Sequence, residues 1–126
     1  MPPASTRPAR NPKPDVRPSP IAGQWYPGDP ARLTKTVDAF LAAAPPVAIP
    51  GPLVGVVVPH AGHLYSGAVA AHAFKAVSGM GVDTVAILCP SHFHADGPLL
   101  TTAHEAYATP LGSVPVNREA MQGKHE

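Results

Sequence analysis

Only one cysteine, Cys89, occurs in the 126 residues, so no disulfide can close within the chain and a disulfide-stapled fold is excluded. Cys89 closes an apolar run and is expected to be a small buried core residue. Charge is scarce as well. Asp, Glu, Lys and Arg make up 13% of the chain and the net charge is +1, which offers no broad basic face for nucleic acid. No apolar run reaches the roughly 18 residues of a membrane span, and the N-terminus lacks the apolar centre of a secretion signal. Arg and Ser near the start give some transit-peptide character, but the prolines among them prevent an amphipathic helix. The expectation is a soluble cytoplasmic protein without membrane or nucleic-acid partners.

Proline is abundant. Seven of the 18 prolines and four of the nine Lys/Arg fall in the first 20 residues, where Ile and Leu are missing and Val16 is the only branched apolar residue. Such a stretch buries too little surface to fold, and residues 1–16 are expected to be a disordered, Pro/Arg-rich tail. Residues 17–126 are enough for one small domain with a single core.

Residues 21–30 (IAGQWYPGDP) are rich in turn formers, and Asp29-Pro30 is a helix start: Asp caps free amides, and Pro at the first helical position loses no hydrogen bond. Leu33, Val37, Phe40, Leu41 and Ala44 form one stripe of the helix that follows, and Pro45-Pro46 stops it. Residues 53–58 (LVGVVV) are an unbroken apolar run bounded by Pro52 and Pro59, the pattern of a strand buried on both faces of a parallel sheet. Residues 68–77 (AVAAHAFKAV) predict a helix with Val69, Ala73, Phe74, Ala76 and Val77 packed inward, ended by Ser78-Gly79. Residues 84–89 (TVAILC) repeat the first strand's character, so 53–89 reads as a right-handed βαβ crossover in an open, mostly parallel α/β sheet. Residues 99–102 and 114–117 are short strand candidates around the turn Thr109-Pro110-Leu111-Gly112, and residues 118–122 open a further helix. Two full helices and three or four strands are a thin layer stack, so the domain is expected to be incomplete.

Each apolar run ends in a proline followed at once or within two residues by histidine: Val58-Pro59-His60 and Cys89-Pro90-Ser91-His92. Parallel strands would deliver both imidazoles to the carboxyl edge of the sheet, where ligands bind in open α/β folds. Neighbouring strands lie about 4.8 Å apart, close enough for two imidazoles to meet on one metal at about 2.0–2.1 Å from each nitrogen. Two neutral imidazoles with room for a third donor suit Fe(II), Zn(II) or Cu. The alternative is that both rings cap strand ends by hydrogen bonding to loop carbonyls. His63 and His94 are further candidates, as donors or substrate contacts near the pair. His72, His104 and His125 are expected to be surface or packing residues.

Gly62-His63-Leu64-Tyr65-Ser66-Gly67 has the glycine interval of a phosphate loop, but Ala68-Val69 stands where Lys-Ser/Thr would be needed, so that motif fails. Amides at the helix start, with Tyr65 and Ser66 as donors, are candidates for binding a substrate carboxylate or phenolate; alternatively the glycines simply allow the turn. No Gly-x-Ser-x-Gly surrounds Ser66 or Ser91, so a serine-hydrolase elbow is unsupported.

Arg17-Pro18 with Ile21-Ala22-Gly23-Gln24-Trp25-Tyr26-Pro27, Pro59-His60-Ala61-Gly62 with Tyr65-Ser66-Gly67, Pro90-Ser91-His92, and Tyr107-x-Thr109-Pro110-Leu111-Gly112 together resemble the Memo family. Its prokaryotic members are called AmmeMemoRadiSam system protein B. The resemblance implies a fold like that of class III extradiol dioxygenases, His60 and His92 as metal ligands, and a redox metal, Fe(II) first with Cu or Zn as alternatives. It implies, for an enzyme, O₂-dependent oxidation of a small aromatic molecule, with His63 or His94 as general base. Without catalysis, the same cleft would receive a peptide or a small-molecule ligand, namely a small anion; a third possibility is a fragment without function. His63 stands where the family usually has Tyr, and the third metal ligand belongs to a later part of the longer family members.

Overall fold

Asp29 begins the first long element by accepting a hydrogen bond from the Arg32 amide at 2.8 Å, with Pro30 at the first helical position. The helix, α1, runs Pro30–Ala43 and ends just before Pro45, as its local signals require. Its expected stripe faces inward: Leu33 and Ala44 are buried, and Val37, Phe40 and Leu41 are half-buried. The structure, a computed structural model, describes residues 15–93 and 97–122. Most of the expected tail therefore lies outside the described residues.

A short strand β1 (Val16–Arg17) precedes α1. A π-helical turn (His63–Gly67) leads into α2 (Ala68–Val77), and β2 (Ala106–Thr109), β3 (Gly112–Pro115) and α3 (Arg118–Gln122) follow. The three strands form a mixed sheet in the order β1-β2-β3: β1 runs parallel to β2 with Val16 opposite Ala106, and β2 runs antiparallel to β3 with Tyr107 opposite Val114. The α/β class holds. Strand β1 begins at Val16, the last residue of the expected tail. The Arg17 guanidinium lies 5.4 Å from the centre of the Tyr107 ring, a cation–π contact across the parallel pair.

The expected βαβ crossover is not formed. Residues 53–58 and 84–89 carry no ladder, and most of their side chains are exposed: Val54 is 97% exposed, Val57 99%, Ile87 84% and Leu88 86%, while Leu53 and Val58 are half-buried. A parallel strand needs both faces covered, and the helices here pack on each other and on the turn before α2 instead. Cys89, expected in the core, is exposed for the same reason. Within α2 the buried side is the alanine side, with Ala71 buried and Ala73, Ala76 and Val77 half-buried, while Val69 and Phe74 face outward, contrary to expectation. α2 meets α1 through small residues, and Gly67 sets the distance: a Cβ there would stand 2.5 Å from Cε2 of Phe40. The large side chains on the other side of α2, Val69 and Phe74, are left more than half exposed.

The β2–β3 hairpin turns at Pro110 and Leu111, where the Thr109 hydroxyl donates to the Gly112 carbonyl at 2.8 Å and accepts from the Leu111 amide at 3.1 Å. The turn lies where expected, but the strands flank it directly, and residues 99–102 are not a strand. α3 starts at Arg118 as predicted, with the Asn117 side chain accepting from the Ala120 amide at 2.9 Å. Among the described residues no helix is long and apolar enough to cross a membrane.

Candidate functional site

The chain up to each histidine is neither helix nor strand, and the two segments meet at the histidines that follow their closing prolines. There His60 Nε2 and His92 Nε2 stand 3.1 Å apart, with ring centres at 5.3 Å and ring planes inclined by 36°. At that distance the two rings can share one hydrogen bond, one Nε2 donating and the other accepting. The alternative in which each ring caps its own strand through a loop carbonyl gives way to a direct pair. The apposition is achieved without the sheet hydrogen bonds on which the expectation rested.

The pair lies in a cavity of about 740 Å³ lined also by Gln24, Trp25, Pro59, Ala61, Gly62, Leu64 and Tyr65. Trp25 and Gln24 are the residues that pattern reasoning missed. They belong to a tight turn held by Gly23 N–H to Tyr26 C=O at 2.8 Å and by the Gln24 and Trp25 amides to Ile21 C=O at 3.1 and 3.0 Å. Trp25 C=O then accepts from the His63 amide at 2.8 Å, which joins the turn to the loop after His60. Gly62 permits this approach, since a Cβ on it would meet the Trp25 carbonyl oxygen at 3.1 Å. The available signal was the lone tryptophan, set among turn formers where no core could hold it.

Tyr65 is exposed and lines the cavity. Ser66 is buried at 7% exposure and is not among the lining residues; its hydroxyl donates to Ala61 C=O at 2.8 Å. Three amides of the expected cradle are already engaged: those of Tyr65 and Ser66 donate to Gly62 C=O and that of His63 to Trp25 C=O. His63 turns away from the cavity wall. Its ring packs 5.4 Å from Tyr26 and 6.5 Å, edge-on, from Phe40, and its Nδ1 is buried without a hydrogen-bond partner among the described residues. The general-base role set out for His63 would require that ring to reach the cavity. His94 lies outside the described residues, as does His125.

The remaining histidines serve local structure. His72, exposed on α2, lies with Nδ1 3.0 Å from Ala68 C=O. His104 pairs with Asp15 at 3.0 Å, beside the Glu105 amide that donates to Asp15 C=O. Among the described residues no group of three or more His, Cys, Asp or Glu is placed to hold a metal ion, so the His60–His92 pair stands without a third donor there.

A family profile described as Memo-like protein matches residues 17–124. The chain belongs to the Memo family. It is 42% identical over 107 residues to a MEMO1 family protein of Methanopyrus kandleri, covering 79% of this chain and 38% of that one. It is 33% identical over 111 residues to a MEMO1 family protein of Nitrosopumilus maritimus, covering 85% and 40%. Protein MEMO1 of Danio rerio is 35% identical over 98 residues, covering 78% and 32%. The chain thus spans about two fifths of the length of the first two Memo relatives and about a third of the last.

Proposed function

We propose that this Memo-family chain supplies two nitrogen ligands, His60 and His92, to a mononuclear redox-metal centre, with Fe(II) the first choice and Cu or Zn the alternatives. The observation that carries the proposal is the 3.1 Å separation of the two Nε2 atoms. Two nitrogens each about 2.0–2.1 Å from one ion, at angles between a right angle and the tetrahedral one, lie roughly 2.9–3.4 Å apart. The separation of the pair lies in that range, and the proton shared by the two rings would have to leave before both lone pairs could face one ion. A further donor would come from polypeptide outside residues 15–93 and 97–122.

The cavity walls favour a small, flat, largely apolar ligand. Trp25 and Leu64 offer apolar surface beside the pair, and the Tyr65 phenol is placed to hydrogen-bond a polar substituent. When bound, the metal would supply the redox chemistry for oxidising such a molecule with O₂, the reaction that a dioxygenase-like fold implies by analogy. The base role is assigned to His94 ahead of His63, whose ring packs between Tyr26 and Phe40.

A second reading, a non-catalytic site for a small-molecule or peptide ligand, is favoured by one observation: the two imidazoles already satisfy each other without a third donor among the described residues. Metal analysis with calorimetric titration of Fe(II), Cu(II) and Zn(II) separates the two. The metal proposal expects one site per chain, lost in His60→Ala and in His92→Ala. Absence of stoichiometric uptake by the wild-type chain would sink it.

A further inference from the structure

Ser66 is the one buried polar residue among those described, and its hydroxyl has a single proton to give. Ala61 C=O stands 2.8 Å from Oγ and Gly62 C=O at 3.5 Å, so the proton goes to Ala61. In an ordinary α-helix a serine bonds back to the carbonyl four residues earlier. Here Ser66 reaches five residues back, because the turn His63–Gly67 is π-helical and wider. The carbonyl it reaches belongs to the residue that follows His60.

Three successive residues after His60 are anchored. Ala61 is held by the Ser66 hydroxyl, Gly62 by the Tyr65 and Ser66 amides at 2.9 and 3.1 Å, and His63 by Trp25 C=O at 2.8 Å. Only the first anchor is a side chain. It is also the one nearest His60, whose own ring meets just His92 among the hydrogen bonds of the structure's described residues.

We propose that Ser66 is a positioning residue for the histidine pair: by fixing the Ala61 carbonyl it sets the backbone of His60 so that its Nε2 faces that of His92. Ser66 thus acts through the loop and not on a substrate. Its consequence for metal binding rests on the function proposed above, whereas its effect on the pair does not, and the test separates the two.

The experiment uses the whole chain labelled with ¹⁵N-histidine, observed by NMR at mildly alkaline pH without metal, and then titrated with Co(II). The wild type is expected to show one protonated and one bare Nε2 in the pair, with scalar coupling across the hydrogen bond. Ser66→Ala is expected to lose that coupling and to average both rings between tautomers while the circular dichroism spectrum is kept; Ser66→Thr, which retains a hydroxyl, restores it. Should Ser66→Ala fail to fold, Ser66→Cys, of nearly the same shape and a weak donor, carries the same comparison. Wild-type ring signals in the Ala or Cys variant, no coupling in the wild type, or a Thr variant as disturbed as the Ala variant overturn the proposal. In the Co(II) titration Ser66→Ala is expected to bind about tenfold more weakly, the lower end for residues that orient a ligand. A wild type that takes up no Co(II) overturns the metal-binding function alone, and the ring signals still decide the role of Ser66.

Discussion

Gly67 lies against the ring of Phe40 so closely that a Cβ would stand 2.5, 3.0 and 3.1 Å from Cε2, Cδ2 and Cζ. The contact brings the end of the π-helical turn onto α1 and thereby fixes where the loop carrying His60 emerges. Gly67→Ala must displace a half-buried aromatic ring and is expected to cost about 1–3 kcal/mol, as overpacking does. In a Phe40→Ala background the same change should cost almost nothing. Chemical denaturation of the four proteins in this cycle measures the coupling; equal costs in both backgrounds would refute the contact.

Trp25 is the only tryptophan and shares the cavity with His60 and His92. Its fluorescence is therefore a local reporter. Cu(II) added to the wild type is expected to quench it in a saturable way, and His60→Ala and His92→Ala should abolish the saturable part. His63→Ala should keep it, because the His63 ring faces Tyr26 and Phe40. Quenching unchanged in both pair variants would count against the site.

Metal ligation requires imidazole nitrogens free of protons, so acid competes with the metal at this site. Binding measured by titration at a series of pH values is expected to weaken as pH falls and to release protons into the buffer on binding. Affinity that does not change through the acidic range would mean that the histidines are not the ligands.

Asp29 caps α1 through the Arg32 amide at 2.8 Å. Asp29→Ala is expected to destabilise the chain by about 0.5–2 kcal/mol, whereas Asp29→Asn should lose little, since its side-chain oxygen caps as well. Thermal unfolding followed at 222 nm reads this directly.

Residues 53–58 and 84–89 make opposite predictions according to whether they are buried. With Val57 99% and Ile87 84% exposed, Val57→Lys and Ile87→Lys should each change stability by less than about 0.5 kcal/mol. Two buried strands would lose several times that. Exposed apolar chain without a ladder also invites pairing with other copies, so the double lysine variant should elute as a smaller species than the wild type at high concentration in size-exclusion chromatography.

Arg118 forks across the carbonyls of Thr102, Ala103 and His104, with 3.1 Å to Thr102 and 2.7 Å to His104. The residues leading into β2 depend on it for order. Arg118→Lys, a single point charge in place of the fork, is expected to speed amide hydrogen exchange over residues 102–106 while leaving α1 unchanged.

Short-range chemistry determined a large part of this protein from its sequence. Asp29-Pro30 and Pro45-Pro46 bound α1, Ser78-Gly79 ends α2, the Thr109–Gly112 turn nucleates the hairpin, and His60 and His92 stand out because a proline and an apolar run precede each of them. These signals act within a few residues, through caps, fixed backbone angles and lost donors, so they survive without knowledge of the rest of the fold. Tertiary structure decided what depends on partners far along the chain. Val16 pairs with Ala106 across 90 residues, so the parallel ladder expected of the apolar run 53–58 belongs to a less apolar strand instead. The cover over an apolar segment is not encoded in that segment, which is why Val57 and Cys89 lie in solvent. Only the folded chain shows that a backbone bond from His63 to Trp25 brings the lone tryptophan to the histidines, and that the two Nε2 atoms meet at 3.1 Å.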